Sequence, residues 1–600
     1  MGTTTTTVPK KIKGGSFLIE TRTPEEIFTP EDLSDQHRLI AQTAEEFAKN
    51  EILPLAKDIE EKKPGLLREL LKKAADLGLC ATDVPQKYGG LELDKISSIV
   101  VAEKMACNGS WAATLGAAAG IGLLPIALFG TEAQKTKYVS KLSSAEWVGA
   151  YSLSEAGSAS DALNAKTRAT LSPDGKNYLL NGTKMWITNG GLADVYVVFA
   201  KVDGEKFTAF IVERTFTGVS PGAEEHKMGI RGSSTTPLNL ENVPVPVENV
   251  LGEVGKGHLI AFNILNIGRL KLGAGCVGGA KYLLAEALKW AKEREAFGKT
   301  IADFGMIKEK LGKMVMQTYA LESMSYRTTG MIDSLLEGAD QGSPEASKRI
   351  LEALQEYAIE CSILKVMGTE VLDFVADETV QIYGGYGFSS EYDVERAYRD
   401  QRVNRIFEGT NEINRLLIID MLMKRSMKGQ LALIPAAQKL MDDILSMGPE
   451  EEVADDRPLA EEAALVEVAK KIFLLAAGNA VQKYMQKLAE EQEVIGILSD
   501  LVMDIYSMES VLLRALKKIS KKGPDSSATE IDATRSLIYW VLDDMEATAR
   551  RALGRIAEGD TLRAQLAVVR RLLRRTPPDT IELRRRLANR ALELGHYPFV

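Results

Sequence analysis

The chain has 600 residues, 45% apolar and 26% charged, with a formal net charge of -9. That length exceeds a single core and implies roughly two to four domains of an ordinary soluble globular type. The negative balance argues against nucleic acid as the main partner. Cys80, Cys107, Cys276 and Cys361 are far apart and form no CxxC pair, so they read as small buried hydrophobes in a reducing compartment. His37, His226, His258 and His596 show no metal-ligand spacing. No metal site and no His-based triad are expected.

Residues 1–33 read as an N-terminal arm. It opens Thr-rich, then carries Lys10, Lys11 and Lys13, without the apolar core of a secretory signal. Met1–Gly2 with Thr6 fits a myristoylation pattern so short that chance explains it better. A mobile arm is expected. No window reaches about 18 continuous apolar residues, so no spanning helix is expected.

Residues 34–148 read as a helical domain, with Ile40, Thr43, Ala44, Phe47 and Ala48 at helical spacing. The stretch 109–124 is unusually small in side chain, which suits close helix packing or a long ligand lying beside it. Residues 149–256 read as a β domain. Pro173–Asp174–Gly175 signals a hairpin, and Tyr178–Thr183 a strand entering a turn. The runs Val195–Ala200 and Phe207–Val212 flank Gly204. Residues 257–427 return to helical periodicity over 258–293, 303–337, 345–383 and 410–427, with a loop at 338–344 carrying Gly338, Gly342 and Pro344. Gly273–Ala274–Gly275–Cys276–Val277–Gly278 fits GxGxxG, but no strand precedes it, so helix packing explains it better.

Residues 428–600 form a further charged helical domain. Glu450, Glu451, Glu452, Asp455 and Asp456 predict an acidic loop, and seven arginines between Arg570 and Arg586 a basic end. Leu431, Leu433, Ile434, Leu440, Ile444 and Leu445 form an amphipathic face, for which burial against the protein outweighs peripheral membrane contact.

The chemistry concentrates in Arg405–Ile406–Phe407–Glu408–Gly409–Thr410–Asn411–Glu412. Apolar neighbours disfavour the charged form of Glu408 and raise its pKa, which suits a general base near neutral pH. Gly409 lets the backbone turn and a flat ligand approach. The plainer alternative is a helix N-terminus capped by Thr410 or Asn411.

Four more motifs accompany this one. They are Tyr151–Ser152–Leu153–Ser154–Glu155 with Gly157, Ser158, Ser160 and Asp161; Lys184–Met185–Trp186–Ile187–Thr188–Asn189–Gly190; Arg294–Glu295–Ala296–Phe297–Gly298–Lys299; and Gln381–Ile382–Tyr383–Gly384–Gly385–Tyr386–Gly387. In this order and spacing, over roughly residues 30–425, the five resemble the acyl-CoA dehydrogenase family of flavoenzymes.

The resemblance implies a mainly α fold: an N-terminal helical domain, a middle β-barrel-like domain, a C-terminal four-helix bundle and here an extra helical domain. It implies FAD as cofactor and α,β-dehydrogenation of a fatty acyl-CoA. Glu408 matches the base that takes the α-proton, and its own N–H a donor to the thioester oxygen, worth roughly 3–4 kcal/mol. Some relatives carry the base on the helix after residue 260 or so, where this chain has Gly268. Tyr151, Leu153, Ser154, Trp186, Ile187 and Thr188 match flavin contacts. Thr410 and Glu412 match adenosine-side contacts. Arg294, Phe297, Gln381, Gly384 and Gly385 match residues that reach the FAD of a neighbouring subunit, although Arg294 alone would suit an ion pair with Glu293 or Glu295. Ser160, Asn266 and Arg269 match CoA-side residues, with a structural ion pair as the alternative for Arg269. Phe407 and Gly409 flank the base at the substrate.

Ala113 and Ala117 stand where medium-chain members place larger residues, which implies long acyl chains. The block 428–600 resembles that of very-long-chain members, found in mitochondria and bacteria, and implies a homodimer. Electrons are expected to pass to an electron-transferring flavoprotein. An acyl-CoA oxidase and a non-catalytic flavin-binding assembly or DNA-associated relative are the alternatives. Lack of an Arg-rich transit peptide favours a bacterial cytoplasm over a mitochondrion.

Overall fold

The computed structural model describes residues 11–338, 345–446 and 457–599. The threonine-rich start, most of the 338–344 loop, the acidic loop at 450–456 and the side chains of Ile444 and Leu445 lie outside the described residues.

The first helical layer starts where polar side chains cap it. Ser34 Oγ accepts from the His37 N–H at 3.2 Å and opens the helix Asp35–Phe47. Asn108 Oδ1 does the same for Trp111 N–H at 3.0 Å. The small-residue stretch is not one regular helix. Gly109–Gly116 is α-helical, Ala117–Ile121 widens into a π turn, and Leu124–Phe129 resumes the α form. Gly109–Phe129 is apolar enough, by length and composition, to cross a membrane. Here Trp111, Leu123 and Leu124 are buried in the protein and the small residues face a cavity.

The middle domain is an eight-stranded mixed sheet: β1 Gly149–Ser152, β2 Arg168–Leu171, β3 Asn177–Thr188, β4 Val195–Val202, β5 Lys206–Glu213, β6 Val219–Pro221, β7 Thr235–Pro246 and β8 Val250–Leu251. Its order is β6-β7-β3-β2-β4-β5-β8, with β1 parallel to β4. The hairpin at Pro173–Gly175 joins β2 to β3. The expected turn at Asn181–Gly182 is absent. β3 runs on through it with a register shift against β7, because a glycine lets the strand pass where a Cβ would meet Thr167 Oγ1 at 2.5 Å.

The helical bundle is built on Gly257–Glu293 and Gly305–Leu336, followed by Ala346–Glu356 and Ala358–Tyr383, which break at Tyr357. The GxGxxG match lies inside the first of these. A Cβ on Gly278 would sit 1.8 Å from the Glu103 carbonyl oxygen, so this glycine serves helix contact.

The extra domain packs Ala460–Tyr484, Gln492–Lys522 and Ala528–Ile556 together and onto the bundle. A buried charge cluster joins the two. Glu322 Oε2 accepts from Arg514 Nη1 and from Tyr597 OH, each at 2.7 Å, while its other oxygen accepts from Lys281. The cations hold Glu322 well below the usual carboxylate range against the opposing effect of burial. Deleting one member of such a cluster costs roughly 3–5 kcal/mol. Leu431 and Leu440 are buried, whereas Ile434 is exposed, so the amphipathic face is used at least partly against the protein.

The arm is not a free tail over residues 11–33. Gly14 and Gly15 donate their N–H groups to Glu356 and Glu360 at 2.8 and 2.7 Å. Phe17 is buried against Tyr506, with ring centroids 4.7 Å apart. Glu31 receives Arg514 at 2.7 Å. The partners lie hundreds of residues away, beyond the reach of local pattern.

Candidate active site

Glu408 sits in the short connection between the 3-10 turn Arg402–Arg405 and the helix Asn411–Met427. Its φ is +57°, followed by +80° at Gly409. A non-glycine residue held there is strained, and such strain persists only where surroundings over-determine it. Three features do so. Thr410 Oγ1 accepts from Ile413 N–H at 3.2 Å and caps the helix, so the plainer expectation for this motif also holds. Asn414 Nδ2 donates to the carbonyls of Gly409 and Thr410 at 2.8 and 3.0 Å. Arg269 Nε donates to the Glu408 carbonyl at 3.2 Å, while its Nη1 donates to Asn266 Oδ1 at 3.0 Å.

The Glu408 carboxylate itself is left free. Oε2 is sealed from solvent and has no hydrogen-bond partner. Burial pushes the acid up to about 7, against the lowering effect of Arg269 and Lys365. Ile406, expected to help exclude water, is 52% exposed and does not. Exclusion comes instead from Phe407, Gly268 and the cavity they share with Glu408.

That cavity has a volume of about 230 Å³. Its walls come from the helices Lys95–Lys104 and Gly257–Glu293, from the 109–124 stretch and from the segment leading to Glu408. Ala113 and Ala117 both line it, and a Cβ on Gly116 or Gly120 would meet nothing within 4 Å. Thr188 lines the same space, and the Tyr151 hydroxyl, buried without a partner, feels the Glu408 charge.

Around this centre the predicted residues divide. Trp186 stands at a register shift in β3 with φ +56° and is 56% exposed, as a bulge re-aims a side chain. Ile187 turns into the sheet core instead, so only its main chain is free to face a ligand beside Trp186. Leu153 is buried and Ser154 half-buried. The loop after them is pinned by the buried pair Glu155–Lys184, 2.7 Å apart. Ser160 is exposed on that loop. Asn266 and Arg269 are buried and brace the Glu408 loop.

Arg294, Gln381, Gly384 and Gly385 are exposed. Trp290 stacks on Tyr383 at 4.4 Å and contacts Tyr386 at 5.2 Å, which holds the end of Gly257–Glu293 against the 383–388 turn. Arg294 lies over the Tyr386 ring at 5.6 Å and makes no ion pair with Glu293 or Glu295. Phe297 is 95% exposed. A Cβ at Gly384 or Gly385 would meet nothing. Glu412 is exposed in the first turn of its helix. The open glycines and Arg294 gather at the C-terminal end of Gly257–Glu293 and do not line the Glu408 cavity; among the described residues Arg294 has no ion pair, which leaves its guanidinium open to an anionic group.

Sequence reasoning missed Lys365 and Asn414. Lys365 is fully buried and donates to Asn411 Oδ1 at 2.7 Å. Burial lowers its pKa to about 8. A polar residue at a buried position of an otherwise apolar helix face was the available signal for both.

Matches to known proteins agree with this geometry. Family models for the acyl-CoA dehydrogenase N-terminal domain match residues 34–146, the middle domain 150–243 and the C-terminal domain 255–423, and a second C-terminal domain model matches 468–571. A probable acyl-CoA dehydrogenase of Bacillus subtilis is 47% identical over 585 residues, 98% of each chain. The very long-chain specific acyl-CoA dehydrogenase, mitochondrial, of Homo sapiens is 37% identical over 475 residues, 75% of this chain and 70% of the other. The crystal structure of an acyl-CoA dehydrogenase complexed with FAD from Bacillus anthracis superposes with a TM-score of 0.96 at 48% identity, over 98% of this chain and all of that one. An α-helical flavoenzyme scaffold around a buried carboxylate is thus the class, and the chain belongs to the acyl-CoA dehydrogenase family.

Proposed function

We propose that this protein catalyses FAD-dependent α,β-dehydrogenation of long-chain acyl-CoA thioesters, giving the trans-2-enoyl-CoA. The observation that carries the reading is the unpartnered, desolvated Glu408 carboxylate facing an apolar cavity floored by Ala113, Gly116, Ala117 and Gly120. FAD, the cofactor of the solved Bacillus anthracis relative, supplies the hydride acceptor when bound. Tyr151, Trp186, Thr188, Thr410 and, from a second copy, Arg294 and Gln381 are the residues that would hold it.

Glu408 Oε2 takes the α-proton. A base poised near neutral pH combines availability with driving force. The Glu408 N–H is free to donate to the thioester oxygen as negative charge develops there. Arg269, Asn414 and Lys365 act as positioning residues, since they hold the loop and not the substrate. The small-residue floor and the relation to very long-chain specific relatives favour long tails. The exposed Arg294, Phe297 and Phe388 support a homodimer, and the bacterial relatives support a cytoplasmic location.

Anaerobic mixing of the yellow protein with palmitoyl-CoA tests the reading. Bleaching of the visible flavin band with a long-wavelength charge-transfer band is expected. No bleaching with bound FAD, for octanoyl-, isovaleryl- and glutaryl-CoA as well, would refute it. Slow reoxidation by oxygen and fast reoxidation by electron-transferring flavoprotein are expected. The reverse would make the protein an oxidase.

A further inference from the structure

The acyl cavity is lined by one carboxyl and one ammonium group that the chemistry above does not use: Asp400, whose Oδ1 accepts from the Ile230 N–H, and Lys271, its one lining cation among the described residues. Lys271 lies three residues beyond Gly268 on the helix Gly257–Glu293. Positions i and i+3 share a helix face, and the rise between them is about 4.5 Å. Gly268 abuts the Glu408 carboxylate, so Lys271 lies further along the path of the chain than the reacting carbons.

Lys271 has a poor partner. Among the described residues its only ion-pair contact is Asp83 Oδ1 at 3.9 Å, beyond hydrogen-bond distance. Asp83 is already taken: Lys95 Nζ donates to its Oδ2 at 2.8 Å, and both residues are buried. Two ammonium groups therefore share one carboxylate beside an apolar space. Burial lowers the Lys271 pKa, as an incompletely paired cation requires. Ser98 adds a second group. It is 4% exposed, lines the same cavity, and its hydroxyl has no hydrogen-bond partner. Thr82 lines that side too. A hydrocarbon tail answers none of these, and a buried polar group without a partner is strongly unfavourable.

We infer that the cavity admits acyl chains bearing an oxygen acceptor beyond the reacting carbons, a carboxylate or a hydroxyl, which Lys271 and Ser98 bind. The inference rests on the acyl-CoA dehydrogenation proposed above and narrows its substrate class. The reaction itself is unchanged, with the oxygen serving recognition only.

The test uses the FAD-loaded full chain and three CoA series matched in length: fatty acyl, ω-hydroxyacyl and dicarboxylyl, from adipoyl to sebacoyl. Flavin reduction and the rise in melting temperature on adding each thioester are both read. Wild type is expected to take at least one oxygenated chain as well as its plain counterpart. Lys271→Met should lose about tenfold to hundredfold in kcat/KM on that chain, the effect of one charged hydrogen bond, and should gain on the plain chain. Its melting shift with the oxygenated thioester should fall in step, and Lys271→Arg should keep the preference. The carboxylate series responding alone identifies an anion, and both series responding identifies a hydrogen-bond acceptor. The inference is overturned if plain chains are preferred at every length by more than about a hundredfold, or if Lys271→Met changes both series alike. Wild-type selectivity decides even if that variant does not fold. Failure of every thioester, palmitoyl-CoA included, would instead overturn the proposed function.

Discussion

Gly268 and Glu408 are in mutual contact: a Cβ at position 268 would stand 2.7 Å from Glu408 Oε2 and 2.8 Å from its Cδ. The absence of a side chain on one helix is what makes room for the carboxylate of a distant loop. Gly268→Ala should therefore displace the carboxylate while leaving FAD bound. A fall in turnover of about tenfold to a hundredfold is expected, since misplacement by an ångström costs that much. Unchanged turnover would show that the carboxylate reacts from elsewhere.

Glu408→Gln should bind FAD and acyl-CoA but lose turnover by about 10²–10⁴-fold, the usual share of a general base. Single-turnover flavin reduction measures it. Near-normal reduction would require another base.

The pH dependence follows from the same side chain. With Glu408 at about 7, flavin reduction by subsaturating substrate should fall about tenfold per pH unit below that value and level off above it. Stability runs the other way. Burial raises the folded pKa from 4.5 to about 7, so this group's contribution is fully present below pH 4.5 and is lost as pH rises through 7. At pH 8 the substrate-free Glu408→Gln protein should be the more stable by up to about 3 kcal/mol. A denaturant titration at both ends of the range checks the sign.

Lys365→Met should shift the acid limb of that profile upward, because Lys365 lowers the Glu408 pKa and holds Asn411. It should also destabilise by about 1–3 kcal/mol, the worth of a charged hydrogen bond, since Asn411 Oδ1 would keep only the Thr369 hydroxyl at 3.3 Å. An unmoved limb would confine Lys365 to a structural role.

The cavity floor gives a size prediction. A Cβ on Gly120 meets open space, so Gly120→Leu should fold and fill part of the cavity. The ratio of palmitoyl- to octanoyl-CoA turnover should drop at least about tenfold. A chain-length series that keeps its shape would place the tail elsewhere.

The sequence by itself determined what depends on neighbours along the chain. The apolar, β-branched and aromatic runs Val195–Ala200 and Phe207–Val212 signalled strands, the long 3.6-periodic stretches signalled helices, and the motif at Glu408 announced a carboxylate beside apolar residues and a helix start. The carboxyl-terminal block was also legible, as a charged helical domain. Only the tertiary structure decided how these parts meet. It turned Ile406 outward and gave the drying of Glu408 to Gly268 and Phe407. It sent Ile187 into the sheet core, and it tied the arm to Glu356, Glu360 and Tyr506. It also brought Lys271 and Ser98, from two different helices, to the lining of one cavity. Each of these outcomes depends on which surfaces bury one another between segments distant in the chain, and burial, unlike periodicity, leaves little local mark in the sequence.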